Sequence, residues 1–277
     1  MRSEDLALAR SAYADLWEAV NSAHFLAAGL YTWMAGFVEG KRRVLEIGVG
    51  AGTSTETLLR RGHQVIGVDN NPECVVRAST ALEHSGFRTA LQCRGFAHVD
   101  PTGYRMDYAP VSLNTSDVDV ALIEGSVAGD ADLVYWLQCE EPFDAVTCWL
   151  LGSHKEARKN HDLPEDIRNG NGLLYRVHLQ QLTYRLAEKV LLVDGILSII
   201  DRGDAPADRD AAERAILDVH RGQARGTGLD PERIEWRHYC EPFFERGEGV
   251  EMKRIGRGTE APRPVMFSVV SRKRMRT

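Results

Sequence analysis

The sequence predicts an α/β fold, a doubly wound and mostly parallel sheet with helices on both faces, and three observations carry that expectation. Val44 to Thr53, reading VLEIGVGAGT, is a short apolar run that feeds straight into Gly48, Gly50 and Gly52. Val65, Ile66, Gly67 and Val68 form a second apolar run, ending at Asp69, seventeen residues after Gly52. Around these, apolar runs of strand length alternate with stretches of helical period, the βαβ pattern of a parallel sheet with right-handed crossovers. The glycines let the backbone turn tightly and approach a ligand without Cβ interference, and a carboxylate at Asp69 is placed to reach ribose hydroxyls.

In chain order, Glu4 to Phe37 is helical, with Leu6, Ala9, Tyr13, Leu16, Trp17 and Val20 at three- and four-residue steps. Two helices are expected, broken near Asn21 and Ser22 or at Gly29; Tyr13, Trp17 and Tyr31 are either core or pocket wall. A strand over 43–49 precedes a helix over 53–61 that Thr53 and Ser54 can cap. A strand over 64–69 leads to a helix over 71–85, which Asn71-Pro72 opens and Gly86 closes. Residues 87–116 read as an insertion, with a strand-like piece at Thr89–Arg94 and a turn cluster at Asp100-Pro101-Thr102-Gly103. The third strand is Val118 to Ile123, ending in Glu124-Gly125-Ser126-Val127, with 89–94 as the competing assignment.

The fourth strand, 143–150, is followed by a charged loop over 152–171 that carries His154 and His161; loops this long in a compact domain are usually functional or disordered. A helix over 173–186, an almost wholly apolar strand over 190–200 and a helix over 208–221 come next. Candidate strands at 234–239 and 265–271 bring the total to seven, and the stretch 241–263 between them carries Phe243-Phe244.

Composition is that of an ordinary folded chain of 277 residues, 43% hydrophobic and 27% charged, large enough for one sizeable core. No apolar run approaches the roughly 18–20 residues a membrane span requires, and acids interrupt the start, MRSEDLALARS, where a signal peptide would be apolar. A cytoplasmic protein is expected. Cys74, Cys93, Cys139, Cys148 and Cys240 are scattered with no CxxC pair, so neither a zinc nor a redox site is expected. A net charge of -6 argues against a nucleic-acid backbone as principal partner. Between Met252 and Thr277, however, Lys253, Arg254, Arg257, Arg263, Arg272, Lys273, Arg274 and Arg276 face only Glu260, a stretch read as a solvated strand end in preference to a polyanion site.

A dinucleotide fingerprint, GxGxxG, would place its third glycine where Thr53 stands. Gly48-x-Gly50-x-Gly52 preceded by Glu46 instead resembles the first motif of the class I S-adenosylmethionine (SAM) dependent methyltransferases, and Phe143-Asp144-Ala145-Val146 looks like the FDxV strand-four motif of that family. The resemblance covers roughly Arg43 to Ile200. It implies a seven-stranded sheet with an antiparallel C-terminal edge hairpin, a helical cap over 1–40, and a SAM-binding domain over 41–277 with the 152–171 and 241–263 loops over the site. It also implies that SAM is held by Glu46, Gly48, Val49, Gly50, Gly52, Thr53, Asp69, Asn70, Gly125, Ser126, Val127 and Cys148. Glu46 would help fix the methionine end. Ser126 stands where the family often has an acid for the adenine amino group, which leaves the Val127 amide to contact the ring.

The target is also constrained by resemblance. Methyltransferases of nucleobases and glutamine often read (Asn/Asp)-Pro-Pro-(Tyr/Phe) at the strand-four exit, and Thr147-Cys148-Trp149-Leu150 has none of this. Asp144 alone does not supply the carboxylate set of a metal-dependent catechol-type enzyme. A small-molecule or protein acceptor is therefore favoured, ahead of a silent SAM-binding or scaffolding subunit, an RNA methyltransferase, and a nicotinamide-dependent oxidoreductase. Trp149 is either a pocket wall or a residue that shields the cationic methyl-sulfur centre or contacts the nucleophile. His154 is the first candidate general base, His161 a weaker one, and 152–171 is expected to be a mobile lid.

Overall fold

The structure is a computed structural model that describes residues 1–241 and 263–275. Phe243-Phe244 and nearly all of the loop expected over 241–263 lie outside the described residues. Helix α1 (Ser3–Leu16) passes into a π-helical turn (Trp17–Ser22) and then α2 (Ala23–Ala27). The break before α3 (Leu30–Gly36) falls at Gly29, whose φ of 67° is the left-handed conformation glycine adopts cheaply. At Asn21 and Ser22, the alternative position, the helix widens instead of ending.

Strand β1 (Arg43–Ile47) leads into α4 (Thr53–Leu59), then β2 (Gln64–Asp69) and α5 (Pro72–His84). The side chain of Asn71 accepts the Glu73 amide at 3.2 Å, the cap expected of Asn-Pro. The cap of α4 differs from expectation. Gly52 occupies the N-cap with no side-chain bond, while the Ser54 hydroxyl turns inward to Glu46.

After α5 the chain forms β3 (Thr89–Gln92), β4 (Gly95–Val99), β5 (Tyr104–Tyr108) and β6 (Val120–Glu124). There follow α6 (Ala131–Cys139), β7 (Phe143–Trp149), α7 (Glu165–Asn169) and α8 (Gly172–Val190). Strand β8 (Leu191–Asp204), α9 (Arg209–Gln223), β9 (Leu229–His238) and β10 (Pro264–Lys273) complete the described chain. The sheet order is β3-β6-β2-β1-β7-β8-β10-β9, with β4 and β5 forming a separate hairpin. Eight strands are thus joined where seven were expected. The two rival readings of the third strand are both strands, because Thr89–Gln92 pairs in parallel with the outer edge of β6 while β6 pairs with β2. The edge hairpin of β9 and β10 is antiparallel, as expected. Among the described residues no helix is long and apolar enough to cross a membrane.

Alternation along the central strands divides the core. Val44, Ala145 and Trp149 face a layer made by α4, α5 and the N-terminal helices, whereas Leu45, Ile47, Val146 and Cys148 face α6, α8 and α9. The N-terminal layer is tied to the far end of the sheet where Phe25 meets Tyr239 edge to face, centroids 5.8 Å apart, and a ring nitrogen of His24 bonds the Cys240 carbonyl at 2.6 Å. In the described part of the basic C-terminal stretch, Arg272 pairs with Glu232 and the Lys273 ammonium donates to the Leu191 carbonyl at 2.7 Å.

The link between β3 and β4 is held by a buried ion pair. Arg94 and Asp130 have side chains 0% and 1% exposed, and their fork contact is closed by the Arg94 amide and the Gly95 amide donating to Glu124, each at 2.8 Å. Asp130 also caps α6 through the Leu133 amide. Removing one partner of such a pair leaves a buried charge. Arg94→Met is therefore expected to cost about 3–5 kcal/mol in urea denaturation, and a loss below about 1 kcal/mol would show that Asp130 is satisfied without it.

Candidate active site

Loops leaving the carboxyl ends of β1, β2, β6 and β7 converge on a cleft of about 840 Å³. This is where a doubly wound sheet receives a ligand. Gly48, Val49 and Gly50 form one wall, Asp69, Asn70 and Asn71 the next, and Gly125, Ser126 and Val127 a third. Gly50 permits the closest approach. Its φ is 53°, and a Cβ there would lie 2.9 Å from the indole nitrogen of Trp17.

Gly52 serves a different end. With φ of 86° and a hypothetical Cβ 3.0 Å from the Ala78 backbone, it lets α5 pack directly against the loop and does not line the cleft. Nor does Thr53, which begins α4. Cys148 lies on the opposite face of β7, where its sulfur accepts from Thr183 and burial pushes the thiol up to about 12. Its expected place at the cofactor is therefore corrected by strand alternation, since Trp149, one residue on, is the side chain that points into the cleft.

Of the two carboxylates, Glu46 is buried and Asp69 half-buried. Asp69 accepts the Gly50 amide at 3.0 Å through one oxygen and the Asn71 amide at 2.9 Å through the other, and desolvation raises its pKa to about 6. Glu46 accepts the Thr55 hydroxyl at 2.6 Å, while its other oxygen has no partner; desolvation lifts this group to about 7. Ser126, in place of the expected acid, uses its hydroxyl locally, accepting the Ala128 amide at 3.1 Å.

The opposite side of the cleft is aromatic. Tyr13, Trp17 and Tyr31 come down from the N-terminal layer, Trp149 from β7 and Tyr175 from α8. The indole N–H of Trp149 donates to Ser198 at 3.0 Å, so only its ring is offered to a ligand. His154 also lines this side; it is 5% exposed, its Nδ1 has no partner, and burial followed by the field of Arg10 lowers its pKa to about 4. His161 is not part of the cleft. It receives a hydrogen bond from Arg168 at 3.2 Å and contacts Asp100 at 3.0 Å, stapling the loop to the turn between β4 and β5.

Tyr175 and Leu179 went unsuspected in the sequence, although both sit on the apolar stripe of the helix after the loop. The loop expected over 152–171 contains a short turn of 3-10 helix (Ala157–Lys159) and α7, and Ala157, Leu163 and Ile167 pack on Tyr175 and Leu179 in a small core of their own.

A glycine loop after β1 and an acid ending β2, set on a doubly wound sheet, form a Rossmann-like cleft of the kind that receives a nucleoside cofactor. Residues 44–122 match the family model of a methyltransferase domain, the class for which the sequence motifs imply SAM as cofactor. No curated protein sequence matches the chain. Solved structures with a similar fold include a putative sarcosine dimethylglycine methyltransferase from Galdieria sulphuraria, 15% identical over 90% of this chain and 84% of that one, TM-score 0.46. Another is the N-methyltransferase NodS from Bradyrhizobium japonicum in complex with S-adenosylhomocysteine (SAH), 12% identical over 89% and 85% of the two chains, TM-score 0.44. A third is the O-methyltransferase TomG from Streptomyces achromogenes in complex with SAM, 15% identical over 98% and 91%, TM-score 0.43.

The residues present fit that cofactor. The cradle at Gly50 is one a Cβ would fill, whereas Glu46, expected at the methionine end, is buried and is not among the cleft-lining residues, with one oxygen unpartnered. Each oxygen of Asp69 receives one N–H bond, so a proton on the carboxyl takes one of the lone pairs that a ribose hydroxyl would otherwise use. Affinity for SAH is accordingly expected to hold at higher pH and to fall as pH drops through about 6, where Asp69 loses its charge. Asp69→Ala should weaken binding by roughly 1.5–3 kcal/mol and flatten this dependence. Calorimetric titration across roughly pH 5 to 8 checks both, and a wild-type affinity that stays constant would separate Asp69 from binding.

Proposed function

We propose that the protein transfers the methyl group of SAM to a small molecule held between the glycine loop and the aromatic side of the cleft. The observation that carries this reading is the lining itself: Tyr13, Trp17, Tyr31, Trp149 and Tyr175 enclose one side, and among the described residues no Lys or Arg lines the cleft. A nucleic-acid backbone is gripped by cations, and a peptide substrate calls for a groove open along its length. Enclosed aromatic walls with a few polar groups suit a small ligand.

Bound SAM supplies a methyl group on a cationic sulfur, already activated toward a nucleophile. The chain's own tasks are to hold the acceptor in line, exclude water and receive a proton. Orientation of two reactants is worth roughly 7–11 kcal/mol in favourable cases. Asp69 fixes the cofactor's position, and the ring of Trp149, pinned through Ser198, closes the wall beside it. With SAM bound, the acceptor's heteroatom would bond to the methyl carbon and the sulfur would keep the pair of the broken bond. The proton lost by the acceptor goes to Nδ1 of His154, which burial keeps neutral across the cellular range.

Labelled SAM incubated with a cell extract should place its methyl group in the ultrafiltrate. Label confined to the protein or RNA fraction would overturn the small-molecule reading. With an acceptor in hand, His154→Ala is expected to lower kcat roughly 10²-fold with SAH affinity unchanged. Because His154 titrates near about 4, the wild-type rate should show no limb from this group close to the ordinary imidazole value. A limb there that disappears in the variant would show that His154 is exposed to water during turnover.

A further inference from the structure

The face of the sheet under the N-terminal helices changes character along the strands. Val44, Ala145 and Ile196 lie side by side in register and are apolar. The next row is Glu46, Thr147 and Ser198, and the row after it is Trp149, Ile200 and Ser268. Polar side chains thus cross the middle of a buried layer. The hydroxyls of Thr147 and Ser268 and one oxygen of Glu46 have no partner.

Asn21 belongs to the same layer. It stands one turn from Trp17 and one from Phe25, which meet edge to face at 6.2 Å and share a core with Trp149 and Ile200. Asn21 is 0% exposed, and neither its amide oxygen nor its amide nitrogen has a partner. Buried polar groups are almost always paired, and an apolar residue of the same size would be more stable in this position unless something uses the amide. The residue also sits in a π-helical turn, a distortion found frequently at functional sites.

Two routes connect this layer to the cleft. Tyr31 lines the cleft and its hydroxyl contacts that of Ser22, next to Asn21, at 3.2 Å. Ser54 lines it too and is followed by Thr55, whose hydroxyl donates to Glu46, the neighbour of Thr147. Asn21 itself does not line the cleft; Trp17, one turn before it, does, so a ligand would reach Asn21 from the aromatic side only by displacing the Trp17 ring. Asn21 offers one donor and one acceptor in a plane. The cation one row beyond Ile200 on this face, Arg202, is paired with Glu241 at 3.2 Å, so an uncharged group suits Asn21 better than an anion.

We propose that Asn21 recognises the methyl acceptor, receiving an uncharged planar group that both donates and accepts, such as a carboxamide or lactam, beneath the π-turn. This rests on the methyltransferase reading, and it makes Asn21 a specificity residue, remote from the transferred methyl group. The aromatic walls on the way in favour an acceptor with a ring attached to that group.

The test compares wild type with Asn21→Leu, both loaded with SAH, using benzamide and benzoate as probes in saturation-transfer NMR at millimolar concentration. Benzamide should give a signal with wild type and lose it in Asn21→Leu, while benzoate gives none with either. SAH affinity should stay within about twofold, and Tm should rise by about 2–4 °C because two unpaired polar atoms leave the interior. Equal benzamide signals in the two proteins, no signal with wild type, a benzoate signal that matches benzamide, or a fall in Tm would each overturn the assignment. Asn21→Ser, smaller and polar, guards against a packing artefact and should also lose benzamide. Wild type that fails to bind SAH would instead overturn the methyltransferase reading.

Discussion

The structure turns on one carboxylate. Asp69, at the end of β2, takes an amide from the glycine loop and an amide from the turn that opens α5, so a single side chain fuses the exits of two strands and the start of a helix. Burying a charge with no cation beside it is costly, which is visible in its raised pKa. Backbone donors offset part of that cost. The remaining lone pairs are what a ribose can use, and the loop geometry that presents the glycines follows from the same bonds.

A second constraint is how closely backbones approach. The absence of a Cβ at Gly52 brings α5 against the loop, and at Gly50 it brings Trp17 over it. The first contact is packing that sets the shape of the cradle; the second is a contact with the layer that forms the other wall. Glycines with one spacing in the sequence therefore divide between structural and ligand-facing roles. The same division separates Cys148 from Trp149, neighbours on β7 that face different cores.

Much of this was legible in the chain. Val44–Ile47, Gln64–Asp69 and Phe143–Trp149 announce themselves as apolar runs, and Asn71-Pro72 fixes the start of α5 to within a residue. Tyr13, Trp17 and Tyr31 could be placed on a helical face but not assigned between core and cleft, because period alone does not say which part of a face meets a void. The eighth strand was hidden because Thr89–Gln92 is four residues long and only half buried, so its pairing is decided by the free edge of β6 and not by its own pattern. His154 and His161 share a loop and a residue type. What distinguishes them is tertiary: one is buried against the cleft and the other is consumed by Asp100 and Arg168.

The contact of Phe25 with Tyr239 sets an order for assembly. The helices of the N-terminal layer leave the ribosome first, yet the side of the cleft they form is braced by residues more than two hundred positions later in the chain. Closing so long a loop is entropically slow to be rewarded, and domains of this size pass through partly packed states. The parallel strands and the glycine loop can therefore be in place while the aromatic wall is still loose. In that interval the glycine loop stands open to bulk water, and the cleft gains its second wall only when Tyr239 and the Cys240 carbonyl arrive to brace it.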